Sequence, residues 1–240
     1  MPVLRDGSES KDPRLTRIPF FDPNSWNYKV RDLFTKDRPL KSKTWRCMRT
    51  LDQGREGACT GFAVAHELIA QPSVVRRGVD AHFAKTKIYW EAQKIDRFKG
   101  GSYPGADPYM EGSSVLAAMK IAKRLGYISE YRWAFGIEDV KKAISEIGPV
   151  VLGIPWYEGM FDPASCGKLH PIGEKVGAHA ILARGIHVPG RKILLHNSWG
   201  SDWGDNGCAW ISWDDLAYCL RRGGEACIPT KRTPTVMRRT

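Results

Sequence analysis

The chain is 240 residues long, with 42% apolar and 26% charged residues, nine Trp and a formal charge of +11. A length and balance of this kind supports a full buried core, which excludes fibrous and disordered classes. The positive charge lies at the two ends: residues 1–45 carry ten Lys/Arg against six Asp/Glu and residues 221–240 carry six against one, so the body between is left with +2 and argues against nucleic acid as a partner.

In chain order, the opening MPVLRDGSESKDPR has no apolar stretch of signal-peptide length, and no later run reaches membrane-spanning length. The expectation is a cytoplasmic protein without a membrane span. Residues 1–45 are rich in Pro, Asp and Lys and show no sustained period, so they read as an extended arm that packs through Phe20, Phe21, Trp26 and Tyr28. Residues 59–70, CTGFAVAHELIA, place Phe62, Ala65, Leu68 and Ile69 at helical spacing before Pro72, which predicts a buried helix starting at Cys59. Further helices are predicted over 84–95, over 113–124 ahead of Gly126, and over 138–147. Short apolar runs bounded by Gly, Pro and charged turns then predict strands at 149–155, 178–186, 192–199 and 208–213. Helices first and strands second give an α+β protein with two lobes: residues 46–148 mainly helical, residues 149–220 a mainly antiparallel sheet or barrel. Residues 221–240 read as a basic tail, whose last stretch KRTPTVMRRT has no folding pattern of its own.

The six cysteines, at 47, 59, 166, 208, 219 and 227, contain no CxxC pair and no zinc spacing, so neither a metal nor a cofactor is called for. Cys59 stands apart because the start of a helix stabilises negative charge and favours a thiolate. Six residues upstream, Gln53 sits in the loop DQGREGAC, from which its amide can join the Cys59 backbone N–H in holding an oxyanion. His179, in GAHAILARGI, begins an apolar strand among small residues. Asn197 ends another strand in HNSWGSDWGDNG, and an Asn side-chain oxygen that accepts from one imidazole nitrogen leaves the other free to face a sulfur. Trp199 would shield that bond. His66, His82, His170, His187 and His196 have no ligand spacing between them, and Asp202 and Asp205 read as turn residues.

Taken together, Gln53 with Cys59, His179 in an Ala-His-Ala setting, and Asn197-Ser198-Trp199-Gly200 followed by Trp203, Gly204 and Gly207 resemble the papain-type (C1) cysteine peptidases. The last motif is the most specific, since seven fixed positions match by chance on the order of once in a billion at a given start point. The resemblance spans residues 45 to 215 or so. It implies the papain fold, with Cys59 on the helical lobe, His179 and Asn197 on the strand lobe, Gln53 in the oxyanion hole, and Gly112, Ala178 and Trp199 lining the substrate cleft. It also implies a cysteine endopeptidase acting on a peptide or protein through a thioacyl-enzyme. Glu56-Gly57-Ala58-Cys59-Thr60 departs from the usual Cys-Gly-Ser-Cys-Trp, which points to a divergent bacterial or phage type. Glu111-Gly112-Ser113 is a degenerate form of the family's Gly-Gly segment. The alternative reading is a papain-fold assembly protein, a phage virion component, that docks on a protein partner through its arm and tail.

Overall fold

The computed structural model describes residues 3–36, 38–163 and 167–232. Helix α1 (Cys59–Leu68) is buried on every side, because small residues let neighbours approach it closely. A Cβ at Gly61 would lie 2.3 Å from the Ala84 carbonyl oxygen, on the segment that crosses α1. That segment runs as α2 (Ala81–Phe83), a π-helical stretch (Ala84–Tyr89) and α3 (Trp90–Ile95). Helix α4 (Val115–Arg124) opens on Ser114, whose hydroxyl accepts from the Ala117 N–H at 3.2 Å, and closes into Gly126 at φ +80°. These helices form one core, which Val151, Ala180, Leu182 and Cys227 of the sheet complete.

The sheet takes the order β2 (Ile128–Trp133), β8 (Glu225–Arg232), β3 (Val150–Tyr157), β5 (Lys175–His187), β6 (Lys192–His196), β7 (Cys208–Ser212) and β4 (Lys168–Leu169), while β1 (Lys43–Thr44) pairs separately with β5. Every pairing is antiparallel except β4 with β7. Alternation along the central strands divides the molecule. Val151, Ala180 and Leu182 face α1, whereas Val150, Leu152, Ile154, Ile181 and Ala183 join α5 (Ile137–Glu146), α6 (Trp213–Arg221) and the Trp side chains in a second core.

Two segments differ from the sequence expectation. Glu225–Arg232, expected within a tail, is strand β8, hydrogen-bonded on both edges and buried through Ala226, Cys227, Ile228 and Pro229. Its charged ends and its Pro hide a strand whose apolar part is too short to show a period. The rest of the expected tail, residues 233–240, lies outside the described residues, as does Cys166. The arm is also not extended throughout. Pro23–Asn27 and Val30–Leu33 are 3-10 turns, and Trp26 stacks on Phe135 at 4.2 Å. Among the described residues, Cys47, Cys59, Cys208, Cys219 and Cys227 are free thiols, and no helix is long and apolar enough to cross a membrane.

Candidate active site

Cys59 is the first residue of α1, and the backbone amide of Ala180 on β5 faces its thiol. His179, the residue before, lies on the same strand, so Cys59 and His179 sit on neighbouring backbone, with no hydrogen bond between their side chains among the described residues. The His179 Nε2 donates to Asn197 Oδ1 at 2.7 Å, and the Ser198 N–H donates to the same oxygen at 2.8 Å. Asn197 leaves the end of β6 held by its own N–H on the Gly207 carbonyl, which fixes the amide's height. The ring of His179 is wedged between Trp156 at 4.9 Å and Trp199 at 5.0 Å, so its tautomer and plane are set by packing as well as by hydrogen bonding. Its Nδ1 is buried without a hydrogen-bond partner among the described residues.

Gln53 is tied to the same turn. Its N–H donates to the Ser198 carbonyl at 2.8 Å, and Ser198 Oγ donates to Gln53 Oε1 at 2.6 Å. With its carbonyl end clamped, the amide presents Nε2, which donates to the Glu56 carbonyl at 2.6 Å and the Arg14 carbonyl at 3.3 Å. Ser198 is one of the motif's fixed positions but received no role from the sequence, because its bond to Gln53, 145 residues away, is visible only in the fold. Trp156 received none either, being one aromatic within an apolar strand.

The arm fills the cleft. Thr16 Oγ1 lies 3.8 Å from Cys59 Sγ and hydrogen-bonds the Gly57 carbonyl. The Arg17 N–H donates to Ala178 O at 3.1 Å, and the Ile18 N–H donates to Ser113 O at 2.9 Å. The Arg14 guanidinium lies over Trp199 at 4.1 Å. Thus Ala178 and Trp199 do touch a polypeptide in the cleft, which is the chain's own. Gly112 differs from expectation: its N–H donates to Tyr89 Oη, and its carbonyl accepts from Arg5 and Gln93, so the pairing with the arm moves one residue on, to Ser113. A Cβ at Gly112 would nevertheless stand 2.8 Å from Ile18 Cδ1, so the glycine gives the arm room.

Beneath this cover Cys59 and His179 are both 0% exposed. Burial pushes the Cys59 thiol up and holds His179 down to about 4, with the Asn197 hydrogen bond opposing the latter. The expectation of a low thiol pKa at the helix start therefore does not hold in the covered state: desolvation outweighs the helix terminus and leaves both groups neutral.

Residues 86–221, more than half the chain, match the family described as Papain family cysteine protease, a span that includes His179 and Asn197 and begins after Cys59. Cathepsin B-like cysteine proteinase 3 of Ostertagia ostertagi is 34% identical over 94 residues, 38% of this chain and 53% of its own length. An uncharacterized peptidase C1-like protein, L477, of Acanthamoeba polyphaga mimivirus is 28% identical over 109 residues, 43% of this chain and 34% of its own. The chain thus spans about a third to a half of these curated relatives. Among solved structures, xylellain, a cysteine protease from Xylella fastidiosa, superimposes with a TM-score of 0.72 at 17% identity over 94% of this chain and 99% of its own. Digestive procathepsin L2 proteinase from Tenebrio molitor gives 0.57 at 18% identity, over 91% of this chain and 79% of its own. With a sequence match over most of its length and a fold shared over nearly all of it, the chain belongs to the papain family of cysteine proteases.

Proposed function

We propose that the chain is a cysteine endopeptidase that its own N-terminal arm holds latent. One observation carries this reading: a peptide carbonyl, that of Arg14, accepts from Gln53 Nε2 in a cleft whose floor is the Cys59 thiol and whose wall carries an Asn-oriented imidazole. The cleft thus accommodates extended polypeptide at the place where a substrate would react.

In the proposed reaction, His179 takes the Cys59 proton and the sulfur attacks a substrate carbonyl carbon. The resulting oxyanion accepts from Gln53 Nε2 and from the Cys59 N–H. As the tetrahedral species collapses, the C–N bond breaks and His179 protonates the departing amine. Water, deprotonated by the same imidazole, then attacks the thioester, releasing the acid and restoring the thiol. Asn197 keeps Nε2 protonated, so that Nδ1 is the nitrogen available to the sulfur.

The arm is not held as a substrate would be. The carbonyl at Gln53 belongs to Arg14, whereas the arm meets the sulfur with the Thr16 hydroxyl, two residues further on. This supports a block that is not cut in place. The test is digestion of a proteome-derived peptide library by Leu15→Ala, which loosens the buried arm, and by the same variant carrying Cys59→Ala or Cys59→Ser, read by mass spectrometry. New peptide termini are expected from Leu15→Ala and from neither Cys59 variant; full activity with Cys59→Ser would defeat the reading.

A further inference from the structure

Arg17 is the arm residue next to the one that touches the thiol, and its side chain is 2% exposed. Its guanidinium enters a slot beside the cleft. There Nε and Nη2 donate to Glu225 Oε1 at 2.9 and 2.7 Å, and Nη1 donates to the Gly223 carbonyl at 2.9 Å. Gly153 of β3, paired in register with Glu225 of β8, supplies the open face: a Cβ there would lie 2.5 Å from Arg17 Nε and 2.9 Å from Glu225 Oε1. Both groups that the guanidinium donates to are oxygen acceptors, and Gly153 beside it offers bare backbone. The carboxylate is 12% exposed, and Arg17 is the cation it pairs with. Lifting the arm leaves behind a shaped, acidic recess beside the place where Thr16 meets the nucleophile.

We propose that this recess is the specificity pocket of the enzyme and that it selects an arginine side chain of the substrate within two residues of the scissile bond, Arg17 being its internal occupant. The inference rests on the peptidase reading above. Two physical arguments carry it. Three directed donors on one planar group satisfy Glu225 and Gly223 together, which an ammonium group on a flexible stem does less well. An apolar side chain would instead leave a desolvated carboxylate unpaired, so the slot rejects as well as attracts. The arm's frame differs from that of a reacting peptide, so the slot fixes the chemistry of the selected side chain and leaves its place in the sequence to measurement.

The experiment uses the full chain carrying Arg17→Ala, which vacates the slot, with and without Glu225→Gln. Quenched fluorescent peptides place Arg, its uncharged isostere citrulline, Lys or Leu at each position flanking the scissile bond. At one position, Arg is expected to raise kcat/KM over citrulline by roughly 10- to 100-fold, the factor carried by a charge-assisted pair, and Glu225→Gln is expected to bring that ratio towards one. An Arg-to-citrulline ratio near one, or a ratio untouched by Glu225→Gln, overturns the proposal. Thermal melts establish that each variant is folded, and if Glu225→Gln is not, the comparison of isosteres on Arg17→Ala alone decides. Calorimetric titration of the same peptides into Cys59→Ala/Arg17→Ala reads the pocket without catalysis, where equal affinities, or none for either, count against it. Selective binding of Arg peptides without turnover by the Cys59 protein would sink the peptidase reading and keep the pocket. Broad cleavage without an Arg preference would do the reverse.

Discussion

At the scale of single residues, the site is a set of side chains each restrained by a second one. Gln53 depends on Ser198, which holds Oε1 and so decides which end of the amide looks into the cleft. Gln53→Ala should lower kcat/KM by about 10²- to 10³-fold, the cost of losing one oxyanion donor. Ser198→Ala removes only the clamp and should cost about 5- to 10-fold, consistent with one hydrogen bond; steady-state kinetics on a single peptide will separate the two, and equal losses would assign Ser198 a more direct part. The sequence singles out Gln53, Cys59, His179 and Asn197 as candidates because each is a chemically distinctive residue in a distinctive setting. It gives Ser198, Trp156 and Glu225 no role, because their importance lies in what they touch.

At the scale of elements, the arm and the helices obey different rules. Helix α4 states its own limits, with a Ser cap at one end and a left-handed Gly beyond the other. Ser114→Ala should therefore reduce stability by about 1 kcal/mol in a denaturant titration, the usual worth of an N-cap. The arm has no such local code and is held by tertiary contacts: the side chains of Leu15 and Ile18 are fully buried, and Arg5 pairs with Asp96 and Arg17 with Glu225 inside the protein. Truncating Leu15 to Ala should weaken docking by roughly 2–5 kcal/mol if the arm behaves as part of the core. Iodoacetamide labelling of Cys59 should then speed up by more than tenfold, with the other thiols unchanged; an unaltered rate would mean that the arm does not limit access to the thiol. Strand β8 is the element the sequence concealed, since a run of a few apolar residues between Glu225 and Arg232 gains its identity from the two strands beside it.

At the scale of the whole molecule, burial of titratable groups ties stability to pH. His196 is stacked on His66 at 4.4 Å, and desolvation, with Arg184 nearby, holds His196 down to about 3, while His66 and His179 are also pushed below the ordinary value. A histidine kept neutral in the folded state gives stability that is present above about 6.5, where the unfolded chain is also neutral, and that is lost as pH falls towards the folded value. Buried carboxylates such as Glu67 and Glu225, raised above 4.5 by desolvation, act in the opposite sense, in the range between that value and their higher folded one. The clean measurement is thus a difference: between pH 6 and 4.5, His196→Asn should lose stability less steeply than the wild type, by up to ~1.4 kcal/mol per pH unit. Parallel slopes in denaturant titrations would show that His196 is protonated in the folded protein. The sequence by itself determined the candidate site residues, their order along the chain, and the succession of helices and strands, because residue chemistry and short-range periodicity are local properties. Only the tertiary structure decided that the arm runs through the cleft, that Glu225 closes a slot around Arg17, and that the thiol and imidazole rest neutral. Strand partnership and desolvation depend on which distant segments come to lie against a residue, and no local pattern encodes that.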